Sequence, residues 1–168
     1  LGDVMGSAVE VALHSAIDQL ETMRVREGEH LAADLGARKA ALSGLIDGLA
    51  DAAEVGRVDL QARLGERVKD LMVLSPVDSN AVAQEIVRVA QRSDITEEVT
   101  RFRGHLAHWD ALSAGPEPCG RKLDFLLQEM NREVNTIGSK ADGLQVSELI
   151  IQAKAELERM REQVQNVE

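Results

Sequence analysis

The chain has 168 residues, 44% of them hydrophobic, a length that suits one domain, or one compact lobe with a long helical extension, around a real core. Its net charge of -10 argues against a protein that coats nucleic acid in general, because phosphate backbones are held mainly by Lys and Arg. Two Phe and one Trp are also too few for an extended surface on which bases stack. No apolar run reaches the roughly 18 residues of a membrane span. The single Cys119 argues against a disulfide framework and indicates a reducing compartment.

Residues 1–92 are predicted to form a long, coiled-coil-like segment that mediates oligomerisation. Apolar residues recur every three or four positions with few β-branched runs, a pattern typical of helix. The first helix is interrupted in pattern by four glycines, which permit bends, and a second helix is predicted after Gly56. The segment SPVDSN (residues 75–80) predicts a turn that caps a third helix. The apolar positions of these helices are Val9, Leu13, Ile17, Leu20, Leu31, Leu35, Leu42, Ile46, Leu49, Leu60, Leu64, Val68, Leu71, Val82, Ile86 and Val89.

Residues 93–168 are predicted to form a helical signature region that contains the candidate catalytic site. Asp94 and Glu97 have the spacing of a capping box, which predicts a helix from near Ile95 to about Ser113. A GPEP turn ends that helix, a signature helix follows over residues 120–140, and a last helix begins after Gly143. The fold class is therefore all-α, with long antiparallel helices joined by short turns in an extended bundle.

The signature helix, GRKLDFLLQEMNREVNTIGSK, has two distinct faces on a helical wheel. One arc is apolar and is predicted to lie in the core: Leu123, Leu126, Leu127, Met130, Val134 and Ile137. Beside it lies a polar arc that carries amides where a solvated face usually carries Lys and Glu: Asp124, Gln128, Asn131 and Asn135. With Arg121, Lys122 and Arg132 close by, this arc suits either a phosphodiester or hydrogen bonds between helices or subunits.

The helix after Asp94 gathers charged and imidazole side chains on one flank: Glu97, Glu98, Arg101, His105 and His108. Glu oxygens and His nitrogens can bind a divalent metal, and the same groups can act as general acids and bases near neutral pH. A solvated row of ion pairs, such as Glu97 with Arg101, explains the same residues without any site. The residue pattern alone leaves both interpretations open.

Three segments closely resemble the carboxy-terminal half of the bacterial YicC/YloC family: SDITEEVTRFRGHL (residues 93–106), the signature helix, and REQVQNVE (residues 161–168). The resemblance implies a metal-dependent endoribonuclease, with Mn²⁺ or Mg²⁺ as cofactor, that acts on RNA in the cytoplasm as a ring-like homo-oligomer, a hexamer in the full-length family. It implies no DNA substrate and no membrane partner. The family's amino-terminal domain is absent from this sequence, which begins at Leu1 and is predicted to be a piece of a longer polypeptide.

The same resemblance assigns candidate roles where motif positions match. Four residues are assigned to catalysis and metal binding: Glu98, His105, Glu129 and Glu133. Seven are assigned to RNA binding: Arg101, Arg121, Gln128, Asn131, Arg132, Asn135 and Lys140. The alternative function is a non-catalytic helical scaffold or adaptor, in which the amide arc joins subunits and the acidic surface binds a protein.

Overall fold

A computed structural model describes residues 2–74 and 79–167 of the chain. Within these ranges the secondary structure is entirely helical, and the prediction of an all-α fold is confirmed. None of the described helices is both long and apolar enough to cross a membrane. The five helices are α1 (Gly2–Leu74), α2 (Ser79–Arg92), α3 (Thr96–Ser113), α4 (Gly120–Lys140) and α5 (Leu144–Val164).

The middle of α1 forms a four-helix bundle with α3, α4 and α5, in which neighbouring helices are antiparallel. The direction follows from the order of their contacts: Lys39 and Asp47 of α1, for example, meet Asp110 and Arg103 of α3 in reversed order. Each pair of neighbours is also joined by an ion pair. Glu98 of α3 meets Lys140 of α4 at 2.8 Å, at the beginning of one helix and the end of the other. The remaining neighbours are joined by Arg38–Glu156 at 2.8 Å, Asp47–Arg103 at 2.6 Å and Asp124–Arg161 at 3.3 Å.

One continuous hydrophobic core occupies the bundle, and the predicted apolar arc of α4 lies inside it. From α1 the core receives Leu42, Ile46 and Leu49, each fully buried, and from α3 it receives Phe102. Core residues thus come from both sides of the boundary at residue 92, and the predicted division into two segments stays a prediction. The buried positions of α5 are Val146, Ile150, Ala153, Leu157, Met160 and Val164.

Helix α1 runs unbroken for 73 residues, so the prediction of a separate helix after Gly56 is wrong. At 1.5 Å per residue α1 is roughly 110 Å long. A glycine inside a helix costs only about 1 kcal/mol relative to Ala, which tertiary packing readily offsets. Gly48, for example, lies where an added Cβ would rest 3.6 Å from the side chain of Leu149 on α5.

The two ends of α1 have different surroundings. Residues 5–30 are all exposed, whereas the carboxy-terminal part packs against α2. The facing apolar side chains of that pair are half-buried rather than core: Leu60, Leu64, Val68, Val82, Ile86 and Val89. Residues 75–78 of the predicted turn lie outside the described residues, and α2 begins at Ser79.

Candidate active site

The first turn of α3 is organised by Asp94. The Oδ1 atom of Asp94 accepts a hydrogen bond from the backbone N–H of Thr96 at 2.9 Å, in an Asx turn that leads into the helix. The N-cap position itself is occupied by Ile95, which makes no side-chain cap. The reciprocal half of the predicted capping box is wrong, because the Asp94 N–H donates to the carbonyl oxygen of Gln91 and the Glu97 side chain contacts Arg101 instead. The helix begins at Thr96, one residue after the predicted start.

Hydrogen bonds from the side chain and backbone N–H of Thr96 hold the pKa of Asp94 below its ordinary value. A carboxyl with a lowered pKa in the folded state stabilises the fold above its unfolded pKa of about 3.9, and this contribution disappears as the pH falls through the folded pKa. We therefore expect Asp94→Ala to lower the free energy of unfolding by about 1 kcal/mol at neutral pH, and by much less near pH 2.5. Urea unfolding at both pH values measures the difference.

Asp94→Asn is the matched control, because its amide oxygen can still cap the helix but does not titrate. At neutral pH it should be less stable than the wild type, because it lacks the charge, and its stability relative to Asp94→Ala should not change between the two pH values. An Asp94→Ala deficit of equal size at both pH values would contradict the role given to the ionised carboxylate.

Glu98, in the same first turn, is a buried carboxylate with only 3% of its surface exposed. Its Oε1 atom accepts a hydrogen bond from Lys140 Nζ at 2.8 Å, and the same ammonium donates to the backbone carbonyl oxygen of Asp94 at 3.3 Å. Lys140 therefore ties the last residue of α4 to the beginning of α3. Within the described ranges, Glu98 Oε2 is the one buried side-chain oxygen or nitrogen that has no hydrogen-bond partner.

A second buried carboxylate, Glu133 of α4, lies on the same side of the α3–α4 interface. One guanidinium nitrogen of Arg101 lies 4.0 Å from Glu133 Oε1, and the other contacts Glu97 at the surface. We call Glu98, Arg101, Glu133 and Lys140 the acid–base cluster. In it, two buried carboxylates each face one cation, and the guanidinium of Arg101 is the more exposed of the two cations.

The other predicted site residues lie outside this cluster. Glu129 is bound by Arg132 at 2.6 Å, and His105 lies one turn beyond Arg101 on α3, half-buried. Gln128 donates to Asp124 Oδ2 at 2.8 Å. The exposed outer face of α4 carries Arg121, Gln128, Asn131, Arg132 and Asn135.

The predicted metal ligands were Glu98, His105, Glu129 and Glu133. Among residues 2–74 and 79–167, no three His, Cys, Asp or Glu side chains are placed to hold a metal ion together. Three of the four predicted ligands face cations of the protein: Glu98 faces Lys140, Glu129 faces Arg132 and Glu133 faces Arg101. Metal binding by these residues stays a prediction.

The chain is an antiparallel helical bundle in which two buried carboxylates, each paired with a more exposed cation, lie between α3 and α4. A family model described as "Endoribonuclease YicC-like, C-terminal" matches residues 50–168. The chain therefore belongs to the YicC-like endoribonuclease family, as the resemblance of its motifs indicated.

Two curated relatives support the same conclusion. The chain is 38% identical to a "Probable endoribonuclease YicC" of Clostridioides difficile (strain 630), over 99% of this chain and 57% of that protein. It is 34% identical to a protein of the same name in Haemophilus influenzae (strain ATCC 51907 / DSM 11121 / KW20 / Rd), over 96% of this chain and 57% of that protein. The chain thus spans little more than half the length of these relatives.

Proposed function

We propose that this chain is the helical part of an RNA-cleaving endoribonuclease and that the acid–base cluster is its catalytic centre. The observation that carries the proposal is the unpartnered Oε2 atom of Glu98 beside Lys140. Leaving a buried acceptor without a hydrogen bond costs about 1–3 kcal/mol, and more for a charged group. Such groups are rare in native proteins, and a reactive role is one of the few reasons a fold retains them.

The cluster contains the groups that phosphodiester cleavage requires. Glu98 Oε2 acts as the general base that accepts a proton from the attacking hydroxyl. As the new P–O bond forms, the bond between phosphorus and the leaving oxygen breaks, and the leaving oxygen takes its proton from water. Lys140 holds the other oxygen of Glu98 and so orients the carboxylate, which revises its predicted role as a phosphate ligand to that of a positioning residue. Arg101 supplies a guanidinium whose planar donors match phosphate oxygens and stabilise the charge that develops on them.

Access to Glu98 Oε2 requires movement, because this atom is shielded from solvent. Arg101 is the side chain best placed to move, since about half of its surface is exposed and, among the described residues, its ion-pair partners are Glu97 and Glu133. Transfer of its guanidinium to an RNA phosphate would exchange these contacts for bidentate hydrogen bonds. Binding of the substrate and opening of the cluster are then one event.

Cleavage of an end-labelled hairpin RNA by the purified chain tests this proposal. Parallel reactions with Mg²⁺, Mn²⁺ or EDTA test the metal dependence that the family resemblance implies. Discrete shorter fragments, lost in Glu98→Gln, would support the cluster as the catalytic centre. RNA that stays intact under every condition would contradict catalysis by this chain and favour the scaffold function.

We further propose that the exposed part of α1 associates with a second copy of the chain. Leu13, Ile17 and Leu20 are 45–58% exposed. Farther along the same helix, Leu31 packs against the core and Leu35 belongs to it. Contiguous apolar surface of this kind on a helix commonly marks an interaction site. The predicted homo-oligomer, with a hexamer in the full-length family, is supported by this stripe, whereas its subunit number stays a prediction.

We expect the double substitution Leu13→Glu with Ile17→Glu to shift the chain toward monomer, because it places charges in the middle of the apolar stripe. Sedimentation velocity measures the change directly. The wild-type melting temperature should rise with protein concentration, and this dependence should be lost in the variant. Leu144→Glu, at an even more exposed apolar position of α5, is the control and should associate normally. A wild-type chain that is monomeric at every concentration would contradict the proposal.

A further inference from the structure

Phe125, on the outer face of α4, is 58% exposed. The two other aromatic side chains of the protein, Phe102 and Trp109, are 0% and 4% exposed and belong to the core. Since burying an aromatic ring is among the larger favourable contributions that a side chain makes to folding, an exposed ring suggests a use other than stability. Phe125 also lies within a helix whose remaining large apolar residues are all buried.

Phe125 shares its face with polar side chains suited to RNA. Positions 121, 125, 128, 132 and 135 recur at intervals of four and three residues, which places them in one stripe roughly 21 Å long. This stripe and its flanking residue Asn131 form what we call the outer stripe of α4: Arg121, Phe125, Gln128, Asn131, Arg132 and Asn135. The sequence predicted a site here from the amide side chains. It did not predict that the ring of Phe125 would lie exposed among them.

Several groups of the outer stripe are free to bind a ligand. No hydrogen bond or ion pair joins the side chains of Arg121, Asn131 or Asn135 to the rest of the described chain. Lys122 and Arg132 are paired with Glu117 and Glu129, so the local positive excess of this face is the single charge of Arg121, in a chain whose net charge is -10. The carboxylate of Asp124 is itself paired with Arg161 at 3.3 Å.

We infer that the outer stripe of α4 binds a single-stranded segment of RNA, with the ring of Phe125 stacked on one unpaired base. This inference rests on the proposed endoribonuclease function and names its substrate class. Unpaired bases offer flat faces for stacking and free edges for hydrogen bonds, both of which are hidden in an A-form duplex. Amide groups both donate and accept, so Asn131 and Asn135 can bind base edges, while Arg121 binds a phosphate.

The low aromatic content of the chain is consistent with this site, since a single ring stacks a single base. A second copy of the chain is a poorer fit for the same surface. A helix that docks in a groove needs apolar anchors at several successive turns, as on α1, and the outer stripe has one. An RNA strand bound along the outer stripe would also lie near the candidate active site. Phe125 and Glu133 are eight residues apart on α4, which is roughly 12 Å along the helix axis.

Fluorescence anisotropy with a labelled, unstructured RNA of about 12 nucleotides tests the inference, a length within the range that one single-strand-binding module covers. Phe125→Leu keeps an apolar side chain but removes the ring, and it should weaken binding by about 5- to 100-fold. Phe125→Trp should restore binding, and its indole fluorescence should be quenched when RNA is added. A duplex of the same sequence should bind more weakly than the single strand.

Ile151→Ala, at an exposed apolar position of α5, is the matched control and should bind RNA as the wild type does. Equal binding by wild type and Phe125→Leu would overturn the inference, as would a wild-type chain that binds no single strand. If Phe125→Leu changed the self-association of the chain but not its binding of RNA, the stripe would be a contact with a second copy, and the inference would again be overturned. Normal single-strand binding without cleavage would instead contradict the proposed catalysis and leave this site supported.

Discussion

Replacing Glu98 with Gln is expected to slow RNA cleavage by roughly 10²- to 10⁴-fold, the range associated with loss of a general base. Gln has nearly the shape of Glu, and its amide oxygen can still accept the hydrogen bond from Lys140. It cannot take up a proton from an attacking hydroxyl. The substitution therefore separates the chemistry of the carboxylate from its place in the fold.

Initial rates on a labelled hairpin RNA, with kcat and KM determined separately, measure this effect. The loss should fall on kcat, because Glu98 is buried and is not proposed to bind the phosphate. Glu158→Gln, at an exposed position of α5, has the same change in charge and should cleave at the wild-type rate. Circular dichroism and thermal unfolding establish that both variants are folded. A Glu98→Gln variant with wild-type kcat would remove Glu98 from the catalytic centre.

Lys140→Met is expected to lower the free energy of unfolding by about 3 kcal/mol. Removal of one member of a buried ion pair leaves the other charge uncompensated, at a cost of roughly 3–5 kcal/mol, and the lower end applies here because about a third of the Lys140 side chain is exposed. The Glu98 carboxylate would then lack a partner on both oxygens. Urea unfolding at neutral pH gives the difference.

The double variant Glu98→Met with Lys140→Met provides the control for this second effect. An apolar pair of similar volume often replaces a buried ion pair at little cost, so most of the lost stability should return. Cleavage should not return, because the general base is gone. A Lys140→Met variant as stable as the wild type would contradict the buried ion pair, and a stable double variant that cleaves RNA would contradict the catalytic role of Glu98.

The sequence predicted the bounds of α4 and the two arcs on its wheel because its apolar residues recur with the period of a helix. It also led to the right family, since its polar motifs are long and specific. The family resemblance selected Glu98 rather than Glu97 as a candidate site residue, but the helical wheel placed both on one flank and did not show which of them is buried. Glu98 is buried and Glu97 exposed because of where α4 packs against α3.

The partner of Lys140 was hidden from the sequence for a related reason. Lys140 and Glu98 are 42 residues apart, and only the antiparallel packing of α3 and α4 brings them within 2.8 Å. The unbroken course of α1 was likewise missed, because local glycine content predicts bends and the long-range packing that offsets it has no local signal. Phe125 could have been placed by its wheel angle, which falls beside the amide arc rather than the apolar one.

By itself, then, the sequence determined the helical class, the apolar face of each bundle helix and the membership of the endoribonuclease family. These properties depend on residue type and spacing within single helices and motifs. Only the tertiary structure decided which carboxylates are buried, which cations neutralise them and which face of α4 keeps an exposed ring. Those properties depend on the register between helices distant in sequence, and in this chain that register creates the candidate active site.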